Sequence, residues 1–132
     1  MRNLEKYRQK GARLDHMKIL AVDTDAAELA VLTESLQKVY KDASIKSFGD
    51  PLMAVKYGAN NPVDAVYTAA AMRRLSGFEL VKLLRGFNPD IMSNFIADTE
   101  AERTDAMRLM AESCILRPVT ADAIRRAAEE EW

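Results

Sequence analysis

Short apolar runs alternate with longer helical patterns along most of the chain, and this alternation constrains the fold more than any other feature. Residues 17–22 form an apolar run that ends at Asp23, which is typical of a strand buried on both faces. Residues 44–48 alternate between polar and apolar side chains, as a short edge strand does. The other three predicted strands cover residues 63–68, 91–97 and 113–116.

A helical pattern follows each of the five runs. In the first, Leu29, Leu32 and Leu36 recur at helical spacing. Helix boundaries are marked by local chemistry, since Asp, Ser and Thr cap helix starts and Asn-Pro stops a helix. The predicted helices cover Ala26–Tyr40, the segment from Asp50-Pro51 to near Gly58, the segment from Ser76 to Asn88-Pro89, Glu100–Met110 and Thr120–Glu131.

Five strands that alternate with five helices predict parallel β-α-β units with right-handed crossovers. The expected α/β fold is a five-stranded, doubly wound parallel sheet in the order 2-1-3-4-5, with helices on both faces. Ligands of such sheets bind at the carboxyl ends of the strands, so the residues that follow each strand are the candidate site.

Composition narrows the classes of function. A length of 132 residues suits one domain, and a net charge of −1 argues against nucleic acid as a partner. No stretch approaches the roughly 20 apolar residues that cross a bilayer. The single cysteine forbids an internal disulfide, and the single histidine, His16, forbids a histidine-based metal cluster. We expect a cytoplasmic protein without membrane contact.

Residues 1–16 stand outside the alternation and form a basic tail before the domain at 17–132. Two interpretations stay open for this tail. The first is that the tail is disordered, as chain termini often are. The second is that it forms a helix, which docks either on the domain or on a second copy of the chain.

Three motifs carry a resemblance to a known family. MKILAVDTD (17–25), SGFELVKLLR (76–85) and ILRPVTADAIRR (115–126) resemble segments of the receiver domain of bacterial two-component response regulators. The chain is most similar to receivers that precede LytTR-type DNA-binding domains. The resemblance covers nearly all of residues 17–127 and implies a flavodoxin-like fold and a stand-alone domain.

The family's phosphoryl-transfer site maps onto five positions of this chain, and only Asp23 keeps the family's residue type. Thr24 stands where the resemblance implies a second metal-binding acid, and Ala69 stands at the phosphorylated aspartate. Ala97 replaces the hydroxyl residue that ends the fourth strand, and Arg117 replaces the lysine before proline. Cys114 occupies the position where the resemblance implies the family's aromatic switch residue.

These replacements predict an inert site. A methyl group at Ala69 offers no nucleophile to phosphorus. Asp23 remains as the sole predicted anionic ligand, which is too little for Mg²⁺, because Asp25 is expected to start the first helix. Without phosphate, the expected partner of Arg117 is Asp23. We therefore expect no catalytic residue, no metal and no cofactor.

The resemblance implies a degenerate pseudo-receiver that signals through protein contacts. Expected partners are a histidine kinase, a response regulator or a second copy of the chain. The surface formed by the fourth helix, the fifth strand and the fifth helix, which we call the α4-β5-α5 face, is the predicted interface and homodimer contact. Its predicted contributors are Arg103, Met107, Arg108, Glu112, Ile124, Arg125 and Ala128.

Several alternatives remain open. The first alternative is that the domain binds a small ligand or is a flavodoxin-type carrier. The acidic turn at residues 23–26 argues against a flavin, because it would repel the flavin phosphate. Cys114 is a redox sensor or a small buried apolar residue. Met107 and Met110 fill the core or an interface, and Trp132 is a solvated helix end or an interface anchor. Natural decay explains the replaced positions together better than a single engineered change at Ala69.

Overall fold

The structure, a computed structural model, describes residues 16–130. The proposed tail, apart from its last residue His16, and the proposed anchor Trp132 lie outside these residues. The described chain alternates five strands and five helices. The strands are β1 Lys18–Val22, β2 Ser44–Phe48, β3 Ala65–Ala69, β4 Met92–Ala97 and β5 Ser113–Leu116. The helices are α1 Ala26–Val39, α2 Pro51–Asn60, α3 Gly77–Phe87, α4 Glu100–Arg108 and α5 Ala121–Glu129.

The strands form one parallel sheet in the order β2-β1-β3-β4-β5. This order confirms the predicted doubly wound fold. All residues of β3 and β4 are buried, whereas β2 is an edge strand with no fully buried residue. The apolar runs at β1, β3 and β4 are therefore central strands, and the alternating run at β2 is an edge strand, as predicted.

Helices cover both faces of the sheet. One face packs against α1 and α5, where Leu32, Leu36 and Ile124 are buried. The opposite face packs against α2, α3 and α4, where Ala54, Leu80 and Ala106 are buried. The two apolar clusters enclose the strands on both sides, and the buried polar side chains Ser93, Asn94 and Ser113 within β4 and β5 are held by hydrogen bonds inside the domain.

Side-chain caps fix where the helices begin. The predicted caps Asp50, Ser76 and Thr120 each accept a hydrogen bond from a backbone N–H in the first turn. Ser76 and Glu79 form a reciprocal capping box at the start of α3, with distances of 3.0 and 3.1 Å. These caps hold the amino ends of the helices beside the carboxyl edge of the sheet.

Helix α4 ends earlier than the sequence predicts. Met110 adopts a left-handed conformation with φ 58°, which terminates the helix after Arg108. Of the two alternatives for Met107 and Met110, core filling is wrong, because the residues are 50% and 81% exposed, and a role at an interface stays a prediction. Short α4 buries only Ala106, so its remaining apolar side chains stay at the surface.

Among residues 16–130, no helix has the length and apolar character needed to cross a membrane.

Candidate functional site

The carboxyl edge of the sheet gathers residues that end or directly follow four of the strands. Strand register aligns Val22 with Thr68 and Ala97 with Leu116, so these strands end side by side. Backbone hydrogen bonds extend the alignment past the strands, from the N–H of Arg117 to the carbonyl of Ala97 at 3.1 Å. The sheet thereby brings Asp23, Ala69, Ala97 and Arg117 to one edge, as the topology predicts.

Asp23 is an almost fully buried carboxylate at the end of β1, with 3% of the residue exposed. Its Oδ1 accepts a hydrogen bond from the N–H of Asp25 at 2.9 Å, and its Oδ2 accepts one from Nη2 of Arg117 at 3.0 Å. Asp25 itself caps α1 through the N–H of Glu28, which confirms its expected place at the helix start. The expected ion pair of Asp23 with Arg117 is present.

Arg117 contacts two further carboxylates that the sequence reasoning missed. Its Nη1 donates to Oε2 of Glu28 at 3.2 Å, and its Nε donates to Oδ1 of Asp98 at 2.8 Å. The side chain is only 20% exposed. The guanidinium thus joins the end of β1, the first turn of α1 and the residue after β4. We call Asp23, Glu28, Asp98 and Arg117 the arginine cluster.

Two opposing effects act on the Arg117 charge. Burial lowers the pKa of its guanidinium, whereas the hydrogen bond that Arg117 donates to Asp23 and the charges of Asp23, Asp98 and Glu28 raise it. The raising effects prevail, so the pKa of Arg117 lies above its ordinary value. Arg117 is therefore a permanent cation in this position, held by fixed hydrogen bonds.

Methyl groups occupy the two positions where the sequence predicts that phosphoryl chemistry is lost. Ala69 and Ala97 are both fully buried at the ends of β3 and β4. The neighbouring hydroxyl of Thr68 donates to the carbonyl of Ala69 at 3.0 Å. The start of α3 closes against the same strand end, because a Cβ on Gly77 would overlap the carbonyl oxygen of Ala69. The strand end at Ala69 therefore presents neither a carboxylate nor a free hydroxyl.

Thr24 lies apart from the arginine cluster's hydrogen bonds. It is half-buried in the turn after β1 and lines a shallow groove of about 500 Å³ between α1 and β2. Ser47, across this groove, exchanges a hydrogen bond with Thr33 at 2.7 Å. The structure thus assigns Thr24 to the surface of the turn.

Cys114 is a buried thiol in β5, with 4% of the residue exposed. Burial raises the pKa of the Cys114 thiol to about 11 and outweighs the opposing charge of Arg103. The thiol is thus protonated at neutral pH, and thiolate chemistry is suppressed. Its packing among apolar side chains confirms the interpretation of Cys114 as a small buried residue.

The α4-β5-α5 face differs from its predicted composition. Ile124 and Ala128 are buried in the domain, at 0% and 5% exposed, so naming them as interface residues was wrong. Both lie on the apolar side of α5, which faces inward. Arg108, Arg125 and Met107 are exposed, whereas Arg103 and Glu112 are half-buried. Arg103 pairs with Glu130 at 3.5 Å across a depression of about 320 Å³.

No set of three or more His, Cys, Asp or Glu side chains within residues 16–130 is arranged to hold a metal ion. The three carboxylates of the arginine cluster instead surround a guanidinium. Asp98 was detectable in the sequence as the acid that directly follows the fourth strand. Glu28 was not, because an acid in the first turn of a helix has an ordinary role at the helix dipole.

Solved receiver domains share this fold. The chain superposes on the chemotaxis response regulator CheY4 of Vibrio cholerae with a TM-score of 0.72 and 16% identity, over 84% of this chain and 94% of that one. A CheY-like receiver domain protein of Methanospirillum hungatei gives a TM-score of 0.70 and 15% identity, over 84% and 89%.

A third match comes from the complex of the Saccharomyces cerevisiae phosphotransfer protein Ypd1 with the receiver domain of the response regulator Ssk1. Its TM-score is 0.70 with 18% identity, over 84% of this chain and 85% of that one. No protein-family model matches the sequence, and no curated protein matches it either. At these identities the likeness establishes the fold: the described chain has the flavodoxin-like architecture of response regulator receiver domains.

Proposed function

We propose that this chain is a pseudo-receiver of a two-component signalling system, which acts through protein contacts without accepting phosphate on an aspartate. The single observation that carries the proposal is the pair of buried methyl groups at the carboxyl edge, Ala69 and Ala97. An acyl phosphate forms only when a carboxylate oxygen attacks phosphorus, and alanine supplies no such oxygen. The domain is accordingly not an enzyme and needs no metal or cofactor.

The arginine cluster supports the proposal. A phosphoryl group carries negative charge, and a cation would have to be available to stabilise it. Arg117 already gives hydrogen bonds to Asp23, Glu28 and Asp98. Asp23 is likewise engaged, so it is not free to bind Mg²⁺ without breaking its pair with Arg117. The cluster thus holds the edge in one charge-balanced arrangement.

A protein partner fits this role. One structural neighbour is a complex of a phosphotransfer protein with a receiver domain, and receiver-like folds thus form protein–protein contacts. We propose a histidine kinase, a response regulator or a second copy as the partner. The exposed part of the α4-β5-α5 face offers Arg108, Arg125 and Met107 for such a contact. The resemblance to LytTR-type receivers belongs to this proposal as well.

Intact mass spectrometry tests the absence of phosphoryl transfer. The purified chain is incubated with acetyl phosphate and Mg²⁺, and its mass is expected to stay unchanged. The matched comparison carries Thr24→Asp, Ala69→Asp, Ala97→Thr and Arg117→Lys together, which restores the family's residue types and is expected to gain phosphate. One hydroxylamine-sensitive phosphoryl group per native chain would refute the proposal, because it would identify an acyl phosphate on a carboxylate.

A further inference from the structure

A groove separates α3 from α4 on the face of the sheet opposite α1 and α5. It encloses about 330 Å³, and its floor is formed by β4 at Ser93 and Phe95. Phe78 and Phe95 pack together in the groove with their ring centroids 4.7 Å apart. Val81 and Leu109 complete an apolar lining, so the groove is large enough for one or two apolar side chains of a partner.

The apolar surface continues beyond the groove at the end of α4. Leu109 is 49% exposed, and Met110 next to it is 81% exposed. The left-handed conformation of Met110 turns the chain at this point. A small ligand held in the groove would leave Leu109 and Met110 uncovered, whereas a protein segment longer than the groove would cover them.

Two cations border the groove without acidic partners. Lys82 and Arg85 both line it from α3, and neither forms an ion pair with another residue of the described range 16–130. Arg85 donates a hydrogen bond to the hydroxyl of Ser93 at 3.1 Å. Among the described residues that line the groove, only Glu79 is acidic, and it accepts a hydrogen bond from the N–H of Ser76 in the capping box. The groove therefore combines an apolar floor with a net positive border.

We propose that the α3–α4 groove docks an acidic amphipathic segment of a partner protein, with apolar side chains on the floor and carboxylates at Lys82 and Arg85. The proposal rests on the proposed interaction role of the domain and assigns that role a surface apart from the α4-β5-α5 face. An amphipathic helix of about three turns spans the 11 residues of α3. Its buried apolar anchors provide most of the affinity, and the ion pairs select the sign of charge.

The sign of the border charges disfavours the tail of this chain as the occupant. The tail has apolar side chains at Leu4, Tyr7 and Leu14, but its charged residues are mostly basic. Its basic residues are Arg2, Lys6, Arg8, Lys10 and Arg13. Like charges at Lys82 and Arg85 would repel that segment, from the same chain or from a second copy.

Two synthetic helical peptides test the proposal on the full chain. They share Leu and Phe anchors and differ only in the polar face, which carries Glu in one and Lys in the other. In an amide NMR titration, the acidic peptide is expected to shift Phe78, Lys82 and Leu109. The basic peptide is expected to bind at least about tenfold more weakly, because it replaces attraction at two cations by repulsion.

Charge reversal provides the matched control. A double variant with Lys82→Glu and Arg85→Glu is expected to reverse the preference between the two peptides. Lys56→Glu is expected to leave it unchanged, because Lys56 is an exposed lysine of α2 outside the groove. This design separates the groove from a general effect of net charge.

Three results would overturn the proposal. They are equal affinity for both peptides, no saturable shift at the groove, and shifts confined to the α4-β5-α5 face. Groove shifts that depend on protein concentration alone would identify a second copy as the occupant and would also overturn it. The phosphoryl-transfer test is independent, since a chain that accepts phosphate and still binds the acidic peptide refutes only the proposed function.

Discussion

Arg117 divides its guanidinium nitrogens among three carboxylates that come from three different segments of the chain. Asp23 is the most buried of these carboxylates, with 4% of its side chain exposed. A buried carboxylate that loses its cation keeps the cost of desolvation without the compensating attraction. The stability of this edge should therefore depend on Arg117 more than on any surface arginine.

Replacement of Arg117 tests this dependence. Arg117→Ala is expected to lower the free energy of unfolding by about 2–3 kcal/mol, because it leaves Asp23 without its counter-charge. Arg117→Lys should recover only part of the loss, since one ammonium group cannot reproduce three contacts made from separate nitrogens. Denaturant unfolding monitored by circular dichroism measures the difference.

Arg125→Ala is the control, since Arg125 forms an exposed ion pair with Asp122 at 3.0 Å. Its loss is expected to stay within about 0.5 kcal/mol. Equal effects of the two alanine variants would contradict the account of the arginine cluster.

Because of Cys114, the free energy of unfolding of the chain is expected to decrease at high pH. Burial raises the pKa of its thiol from 9.0 to about 11, so the folded chain holds this proton more tightly than the unfolded chain. The contribution to stability is complete below pH 9 and is lost as pH rises through about 11. The loss is expected to be on the order of 2 kcal/mol.

Unfolding free energies of the native chain and of Cys114→Ala, measured between pH 8 and pH 11, isolate this contribution. The difference between the two chains should change over this interval, because only the native chain carries the thiol. Parallel curves for the two chains would show that the thiol titrates alike in both states.

Helix α3 connects the carboxyl edge of the sheet to the proposed docking groove. Its start packs against the end of β3 at Ala69, and its outward side lines the groove with Phe78, Lys82 and Arg85. The sequence predicted the cap at Ser76, because serine before an apolar-periodic run is a strong local signal. It did not predict the close approach at Gly77, which depends on how α3 packs against the end of β3 rather than on local sequence pattern.

Two glycines of α3 form a matched pair for testing this packing. Gly77→Ala is expected to destabilise the fold by roughly 1–3 kcal/mol, because the new Cβ would overlap the carbonyl oxygen of Ala69. Gly86→Ala is expected to stabilise it by up to about 1 kcal/mol, because nothing lies within 4 Å of the added carbon and alanine favours helix. Thermal unfolding measures both, and effects of the same sign would contradict the packing at Ala69.

At the scale of the whole described domain, the observed fold can be compared with the properties that were predicted from the sequence. Alternation of apolar runs and helices is repeated five times, so the sheet order and the side-by-side ends of its strands followed from topology. That prediction depends on local periodicity and on general rules of connection. The pair of Asp23 and Arg117 was instead implied by the resemblance to receiver domains, which assigns both residues to one site at that edge.

Other features depend on side-chain packing that periodicity does not encode. Glu28 accepts a hydrogen bond from Arg117 from its place in the first turn of α1, and helical spacing alone did not reveal this contact. Ile124 and Ala128 were assigned to a surface by resemblance, whereas packing against the sheet turns that side of α5 inward. The α3–α4 groove likewise depends on tertiary packing, because it is lined by residues of α3, by Ser93 and Phe95 of β4, and by Leu109 directly after α4.

The central claim is that the carboxyl edge of the sheet keeps one arrangement, whether or not a phosphoryl donor is present. Amide NMR spectra of the native chain, recorded with Mg²⁺ alone and with Mg²⁺ plus acetyl phosphate, test it most directly. The account predicts superimposable signals for Asp23, Ala69, Ala97, Cys114 and Arg117 under both conditions. Saturable shifts of these signals that appear only with acetyl phosphate would contradict it.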